Sequence, residues 1–253
     1  SSILILMEQG KIELGAEARR YIPEMRSGVT IRHLLTHTSG LKPGIPKEPA
    51  WTGYEAGIAR AVELEPDGPP DRFFRYSDIN FILLGEIVRR VSGVRLDEFA
   101  AKNVFEPLQM SSTRFLPPDD WRPRIAPTEK DENNVMLRGV VHDPTSRRMG
   151  GVTGHAGLFT TAGDLAKYAR MILNDGAGVL KPETVKLMTT PQTVATVFER
   201  RGLGWDIDSA FSRPRGKTFP LGSFGHTGFT GTSLWIEPQT KTFVVFMSSR
   251  LHP

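Results

Sequence analysis

Cysteine is absent from the 253 residues, so disulfides, thiolate nucleophiles and thiolate-based zinc sites are excluded. Long apolar runs are missing as well. Stretches such as Ile3 to Met7 and Phe243 to Met247 are far too short for a helix to cross a bilayer. No strong excess of one charge is present either: Lys+Arg 32 against Asp+Glu 28 leaves +4 with the histidines neutral. The basic residues fall in short clusters (Arg19-Arg20, Arg89-Arg90, Arg147-Arg148, Arg200-Arg201, Arg213 to Lys217), not in a stripe interleaved with aromatics, so no nucleic-acid partner is expected. Three catalytic signatures are lacking: G-x-S-x-G, H-E-x-x-H, and a G-x-G-x-x-G following a strand. What remains is 39% hydrophobic and 24% charged, the composition of an ordinary globular chain and not of a disordered one.

The helix signals cluster in the middle of the chain. Ser1 to Gly10 reads as the last turns of a buried helix closed by a glycine, which gives the expectation of a fragment with an exposed apolar face on that helix. Thr30 is a candidate N-cap for a helix to about Thr38, and Thr52 to Leu64 is helical in pattern. Ser77 opens the strongest helix, with Ile79, Ile82, Leu83, Ile87 and Val91 on one stripe and Gly93 as its stop. Leu96 to Phe105 follows as a further helix. Residues 117 to 148, rich in Pro, Asp and Arg, read as a long irregular excursion of the kind that serves a site. Thr161 and Asp164 form a capping box, and Pro182 suits the first position of another helix. After Gly202 the pattern turns to β: Gly204 to Ile207, Thr232 to Ile236 and Thr242 to Ser248, the last two joined by a hairpin at Glu237 to Thr240. The expected division is one α+β domain, with residues 1–29 and 196–253 as its helix/sheet part and 30–195 as its mostly helical part.

Without cysteine, nucleophilic catalysis needs Ser, Thr, Lys or a carboxylate. One Ser-x-x-Lys string occurs, Ser39 to Lys42, but Gly40 and Pro43 oppose the helix that would align the two side chains. His33 and His37 stand at metal-ligand spacing, yet Leu34 occupies the place of a metalloprotease glutamate. A metallohydrolase on His33, His37, His142 and His155 is therefore a minor alternative, and no metal or cofactor is expected. The informative strings are Tyr76-Ser77-Asp78, just before a helix start, and Gly225-His226-Thr227-Gly228, leading into a strand with glycines expected to let a substrate backbone approach.

Together with Ile31 to Leu41 (I-R-H-L-L-T-H-T-S-G-L), Leu6 to Pro23, Gly154 to Ala162 and Asp164-Leu165-Ala166, these strings resemble the serine β-lactamase-like proteins: class C β-lactamases, D,D-carboxypeptidases (penicillin-binding proteins) and family VIII esterases. The resemblance runs through almost the whole chain in order. It implies a β-lactamase/transpeptidase-like α+β fold, an antiparallel sheet flanked by helices, with the N-terminal strands missing. It also implies an acyl-enzyme mechanism, a peptidoglycan-type peptide, ester or β-lactam as substrate, and a periplasmic or extracellular location. Tyr76 takes the place of the family's tyrosine base, and His226-Thr227-Gly228 that of its K/H-T/S-G motif. The Phe229 N–H becomes the second oxyanion donor. Ser77, Asp78, Thr227, Gly228 and His155 are the implied substrate contacts. Asp78 stands where many relatives have Asn. The family's nucleophilic Ser-x-x-Lys is expected upstream of Ser2, which would leave these residues inactive alone. A non-catalytic binding or scaffold protein on the same fold is the alternative.

Overall fold

The computed structural model describes residues 1–252. Helix α1 (Ser2–Glu8) buries four consecutive side chains, Ile3, Leu4, Ile5 and Leu6. Four apolar residues in a row cover every face of a helix. The exposed apolar face expected for α1 is therefore not there; α1 is a core helix packed on α4 and on the turn at 101–105. Helix α2 (Ile31–Thr36) begins with a reciprocal cap in which His33 takes the usual glutamate's part: Thr30 Oγ1 accepts from the His33 N–H and His33 Nδ1 accepts from the Thr30 N–H. Helix α3 (Tyr54–Glu63) precedes the central helix α4 (Asp78–Ser92).

Ile79, Ile82, Leu83 and Ile87 on α4 are fully buried at the three- and four-residue spacing of one helix face. Around that face lie α1, α2, α3 and α5 (Leu96–Ala100). The helix expected over Leu96 to Phe105 is present, but its second half, Ala101–Phe105, widens into a π-helical turn. Short strands β1 (Arg114–Phe115) and β2 (Leu158–Phe159) pair antiparallel and bracket the long excursion, which carries α6 (Pro144–Arg148) near its end. Helix α7 (Ala162–Leu173) starts at the expected cap, with Thr161 Oγ1 accepting from the Asp164 N–H, and α8 (Pro182–Thr189) starts on Pro182.

The sheet is a meander: β3 (Arg200–Arg201), β4 (Asp206–Asp208), β5 (Phe224–Thr227), β6 (Thr232–Glu237) and β7 (Thr242–Met247), each antiparallel to the next. The β6/β7 hairpin closes with Glu237 opposite Thr242, and the Glu237 carboxylate accepts from the N–H groups of Gln239 and Thr240. Helix α7 packs against β7, which among the described residues pairs on one side only and leaves the open position expected beside the sheet.

Candidate active site

The site begins at the end of α2. His37 caps that helix in the left-handed conformation (φ 58), which folds its buried imidazole beneath the segment entering α4. There Nδ1 accepts from the Ser77 N–H at 3.2 Å and faces the Asn80 amide nitrogen at 3.1 Å, while Asn80 Oδ1 accepts from Ser39 Oγ at 2.6 Å. Ser77 Oγ donates to the Lys42 carbonyl at 2.6 Å, and the Asp78 N–H donates to the Pro43 carbonyl at 2.8 Å. These bonds set the half-buried Tyr76 ring 4.4 Å from the His37 ring and 5.3 Å from Phe211. Burial, reinforced by the Asp78 charge, pushes the Tyr76 phenol up to about 12, so it keeps its proton at neutral pH.

The second part is β5. His226 projects from it with its ring 6.0 Å from that of Tyr76, so two residues 150 positions apart share one corner. Its Nδ1 lies 2.9 Å from the Thr227 carbonyl. A carbonyl only accepts, so Nδ1 carries the proton and Nε2 keeps a lone pair. Burial, and then the nearby Arg201 charge, lowers this imidazole to about 4, so it is neutral at pH 7. The flanking glycines have packing reasons of their own. A Cβ at Gly225 would lie 2.4 Å from the Trp235 ring, and one at Gly228 would lie 2.3 Å from Thr232 Oγ1. Gly228 itself donates to the Thr232 carbonyl. Past it, the Phe229 N–H donates to nothing among the described residues. The Phe229 side chain is 68% exposed, stacked on His142 at 5.6 Å and beneath the Arg250 guanidinium at 4.8 Å.

Beneath this corner lies Arg201, wholly buried on β3 and opposite Asp206 in the register. Its Nη1 is 3.4 Å from Asp206 Oδ1, yet none of its three nitrogens makes a hydrogen bond. Its charge also contributes, after burial, to holding the His37 imidazole well below its ordinary value. His37 Nε2 is buried and unpaired too.

Two of the expected substrate contacts are corrected by this geometry. Ser77 is fully buried and its hydroxyl is spent on the Lys42 carbonyl, so it holds a loop and meets no substrate. His155 does not line the corner: its side chain is 4% exposed and Nε2 pairs with Asp143 Oδ1 at 2.9 Å, behind Asp78. Asp78 is half-buried beside both. Thr227 lies at the end of β5, half-buried, with Ser233 opposite it in the register. The four histidines of the metallohydrolase reading do not gather: His33 is held by Asp71 and Thr30, His37 by Ser77, and His142 by Glu129. Ser39 and Lys42 do not couple either, since Ser39 is buried on Asn80 while Lys42 Nζ pairs with Asp67 at 2.8 Å. The sequence reading missed Arg201, Asp206, Asp143 and the role of His37. Arg201 and Asp206 had a signal, opposite charges on a short β-hairpin; His37 had none outside its motif.

A central helix packed by other helices, an antiparallel sheet, and a tyrosine facing an H-T-G strand between them define a β-lactamase/transpeptidase-like α+β fold. The Beta-lactamase family model matches residues 2–253, and the chain belongs to that family. Among curated proteins it is 31% identical to one from Escherichia coli K12 named "Putative D-alanyl-D-alanine carboxypeptidase", over 98% of this chain and 65% of that protein. It is 28% identical to an N-acetylmuramyl-L-alanine amidase of Bacillus subtilis, over 98% of this chain and 64% of the relative. The chain thus spans about 65% of the length of the curated relatives it matches. Among solved structures, a penicillin-binding protein from Bacillus halodurans aligns with TM-score 0.74 at 21% identity, over 96% of this chain and 75% of that one. No helix among the described residues is long and apolar enough to cross a membrane.

Proposed function

We propose that these residues carry the tyrosine and histidine half of a serine acyl hydrolase acting on peptidoglycan-type peptides. The observation that carries this reading is the 6.0 Å approach of Tyr76 to His226, with the Phe229 N–H, three residues past His226, donating to nothing among the described residues. The names of the carboxypeptidase and amidase relatives support the substrate class. His226, neutral with Nε2 open, accepts a hydrogen bond from substrate, and the Phe229 N–H donates to the developing oxyanion. Tyr76 takes the proton of the attacking hydroxyl and returns it to the leaving group. It serves as a base only when a cation close by lowers its phenol from about 12. The attacking hydroxyl is not Ser39, which is buried on Asn80. In the full-length gene product the family's Ser-x-x-Lys would supply the nucleophile, and its lysine the cation that Tyr76 needs.

The test is to assay that full-length product and the 253-residue chain with a D-Ala-D-Ala peptide, a chromogenic cephalosporin and a nitrophenyl ester. The longer protein turns over the peptide, Tyr76→Phe lowers kcat by about 10²–10⁴, and the 253-residue chain is silent on all three. Turnover by the short chain, or full activity in the Tyr76→Phe variant, defeats the assignment. An upstream sequence without the motif would favour the binding or scaffold reading instead.

A further inference from the structure

We propose that His142 is a positioning residue for the oxyanion donor: from the long excursion it stacks on the Phe229 side chain and so fixes where the Phe229 N–H points. The inference rests on the acyl-hydrolase reading, and it ties residues 117 to 148 to the site that so long an irregular segment is expected to serve. The two rings lie 5.6 Å apart and 23° from parallel, within the range of aromatic stacking. The Phe229 side chain is 68% exposed, so burial does not hold it and its neighbours decide where it stands.

His142 is itself anchored. Its side chain is 11% exposed, and Nε2 meets Glu129 Oε1 at 2.5 Å. Glu129 stands at the start of a small hairpin within the excursion. There the Thr128 N–H donates to the Leu137 carbonyl at 3.0 Å, the Leu137 N–H donates to the Glu129 carbonyl at 2.9 Å, and Lys130 bridges Met136. The Asp131 carboxylate closes the hairpin's turn by accepting from the Asn133 and Val135 N–H groups. On the other side of His142, Arg147 of α6 reaches back to the Val141 and His142 carbonyls, both at 3.4 Å. The ring that meets Phe229 is therefore braced from both sides in sequence.

The turn that carries Phe229 is bonded on both sides of that residue. Gly228 donates to the Thr232 carbonyl at 2.7 Å, and Gly231 donates to the Gly228 carbonyl at 3.0 Å. Ser248 Oγ donates to the Gly231 carbonyl at 2.6 Å, and the Arg250 N–H donates to the Thr230 carbonyl at 3.0 Å. Between them, Ser249 Oγ donates to the Pro127 carbonyl at 2.8 Å, a second tie from this end of the sheet to the excursion. The Phe229 N–H has no such bond among the described residues, so its direction is left to the side chain, held by His142 and by the Arg250 guanidinium 4.8 Å from the ring centre. Moving the Phe229 Cα to re-aim the N–H pulls the ring off His142, and the stack opposes that movement. A donor already aimed at developing charge stabilises it more than one that must first be turned.

Two measurements test this, one of them independent of activity. In the 253-residue chain, ¹⁵N relaxation reads the order of the Phe229 amide. The parent amide is as ordered as those of β6, and His142→Ala lowers its order parameter below about 0.6. His142→Phe, which keeps a buried ring, preserves the order. In the full-length gene product, His142→Ala lowers kcat for a D-Ala-D-Ala peptide about 10-fold with KM nearly unchanged, less than the ~10²–10³ of a donor removed outright, because the donor acts on charge that develops only in the transition state. His142→Phe restores kcat. Phe229→Ala removes the exposed partner of the stack while keeping the N–H, matches His142→Ala in both measurements, and decides should that variant not fold. An amide as ordered in His142→Ala or Phe229→Ala as in the parent overturns the proposal whatever the activity. A loss that falls on KM alone, or a folded His142→Phe that restores nothing, overturns it equally. A full-length protein without turnover defeats the acyl-hydrolase reading and the catalytic role with it, while amide order lost in His142→Ala and kept in His142→Phe still upholds the contact.

Discussion

Two buried ions in this molecule are treated in opposite ways. Glu86, on the face of α4 away from the site, is wholly buried and saturated: it accepts from Arg89 Nε at 2.7 Å and Nη2 at 2.8 Å, from Arg90 Nε at 2.6 Å and from the Tyr54 hydroxyl at 3.0 Å. Arg201, beneath the Tyr76 and His226 corner, is equally buried and makes no hydrogen bond among the described residues; it has the Asp206 carboxylate at 3.4 Å and the Phe74 ring at 5.6 Å. A charge removed from water is tolerable when its partners replace the lost solvation. Glu86 meets that condition and Arg201 does not. The first ion belongs to the fold, while the second keeps unmet donors next to two neutral imidazoles, which folding alone gives no reason to retain.

Removing the carboxylate at one ion and both charges at the other tests this contrast. Glu86→Ala leaves two arginines facing an empty, buried site and costs about 3 kcal/mol, the lower end for a broken buried pair because both arginines reach solvent. Urea unfolding measures it. The double variant Arg201→Met/Asp206→Asn removes both charges of the other pair and changes stability by at most about 1 kcal/mol, in either direction. It also raises the His226 pKa from about 4, read from its ring protons by NMR, though not to the ordinary value because burial remains. A large loss of stability in the double variant would place Arg201 with the fold and erase the distinction.

Acid sharpens the same comparison. Burial alone would raise the Glu86 carboxyl, but the bonds from Arg89 and Arg90 outweigh it and hold the group below its ordinary value. Stability from a depressed carboxyl is complete above the unfolded value, about 4.3, and is lost as pH falls through the lower folded one. Melting temperature therefore drops as pH falls below about 4.3, and Glu86→Gln flattens that part of the curve at the cost of a lower plateau. His226 contributes with the same sign, since a lowered histidine is stabilising when neutral and is lost on protonation.

Much of the local structure was legible because it is local. The caps at Thr30 and Thr161, the stop at Gly93, Pro182 at a helix start and the β6/β7 hairpin all depend on residues within four positions of one another. The helix-forming run in α1 was read with its face exposed, because neighbours that cover a helix cannot be counted from its own residues. The meeting of Tyr76 and His226 followed from a family resemblance carried by motif order, and no periodicity would have revealed it. Arg201, Asp143 and the burial of Ser77 escaped because they depend on segments far apart in the chain that pack together. Ser77 shows the limit clearly: a good N-cap by type, it makes no side-chain cap and spends its hydroxyl on a loop 35 residues earlier.

The smallest effect concerns the open strand. On β7 the side chains alternate, with Phe243 and Val245 half-buried on the α7 side while Val244 is 52% and Phe246 58% exposed. An edge with free N–H and C=O groups and an apolar outer face pairs readily with a second such edge. Phe246→Lys removes apolar surface that is already mostly in water, so it shifts folding stability by no more than about 0.5 kcal/mol. Yet it places a charge where two copies would meet and lowers the fraction of assembled protein seen by sedimentation at high concentration. The central α4 offers no such separation, because any charge placed at Leu83 is paid for within the fold. Equal self-association in the parent and in Phe246→Lys would show that β7 is not the contact, and would move attention to the exposed Phe229 beside the site.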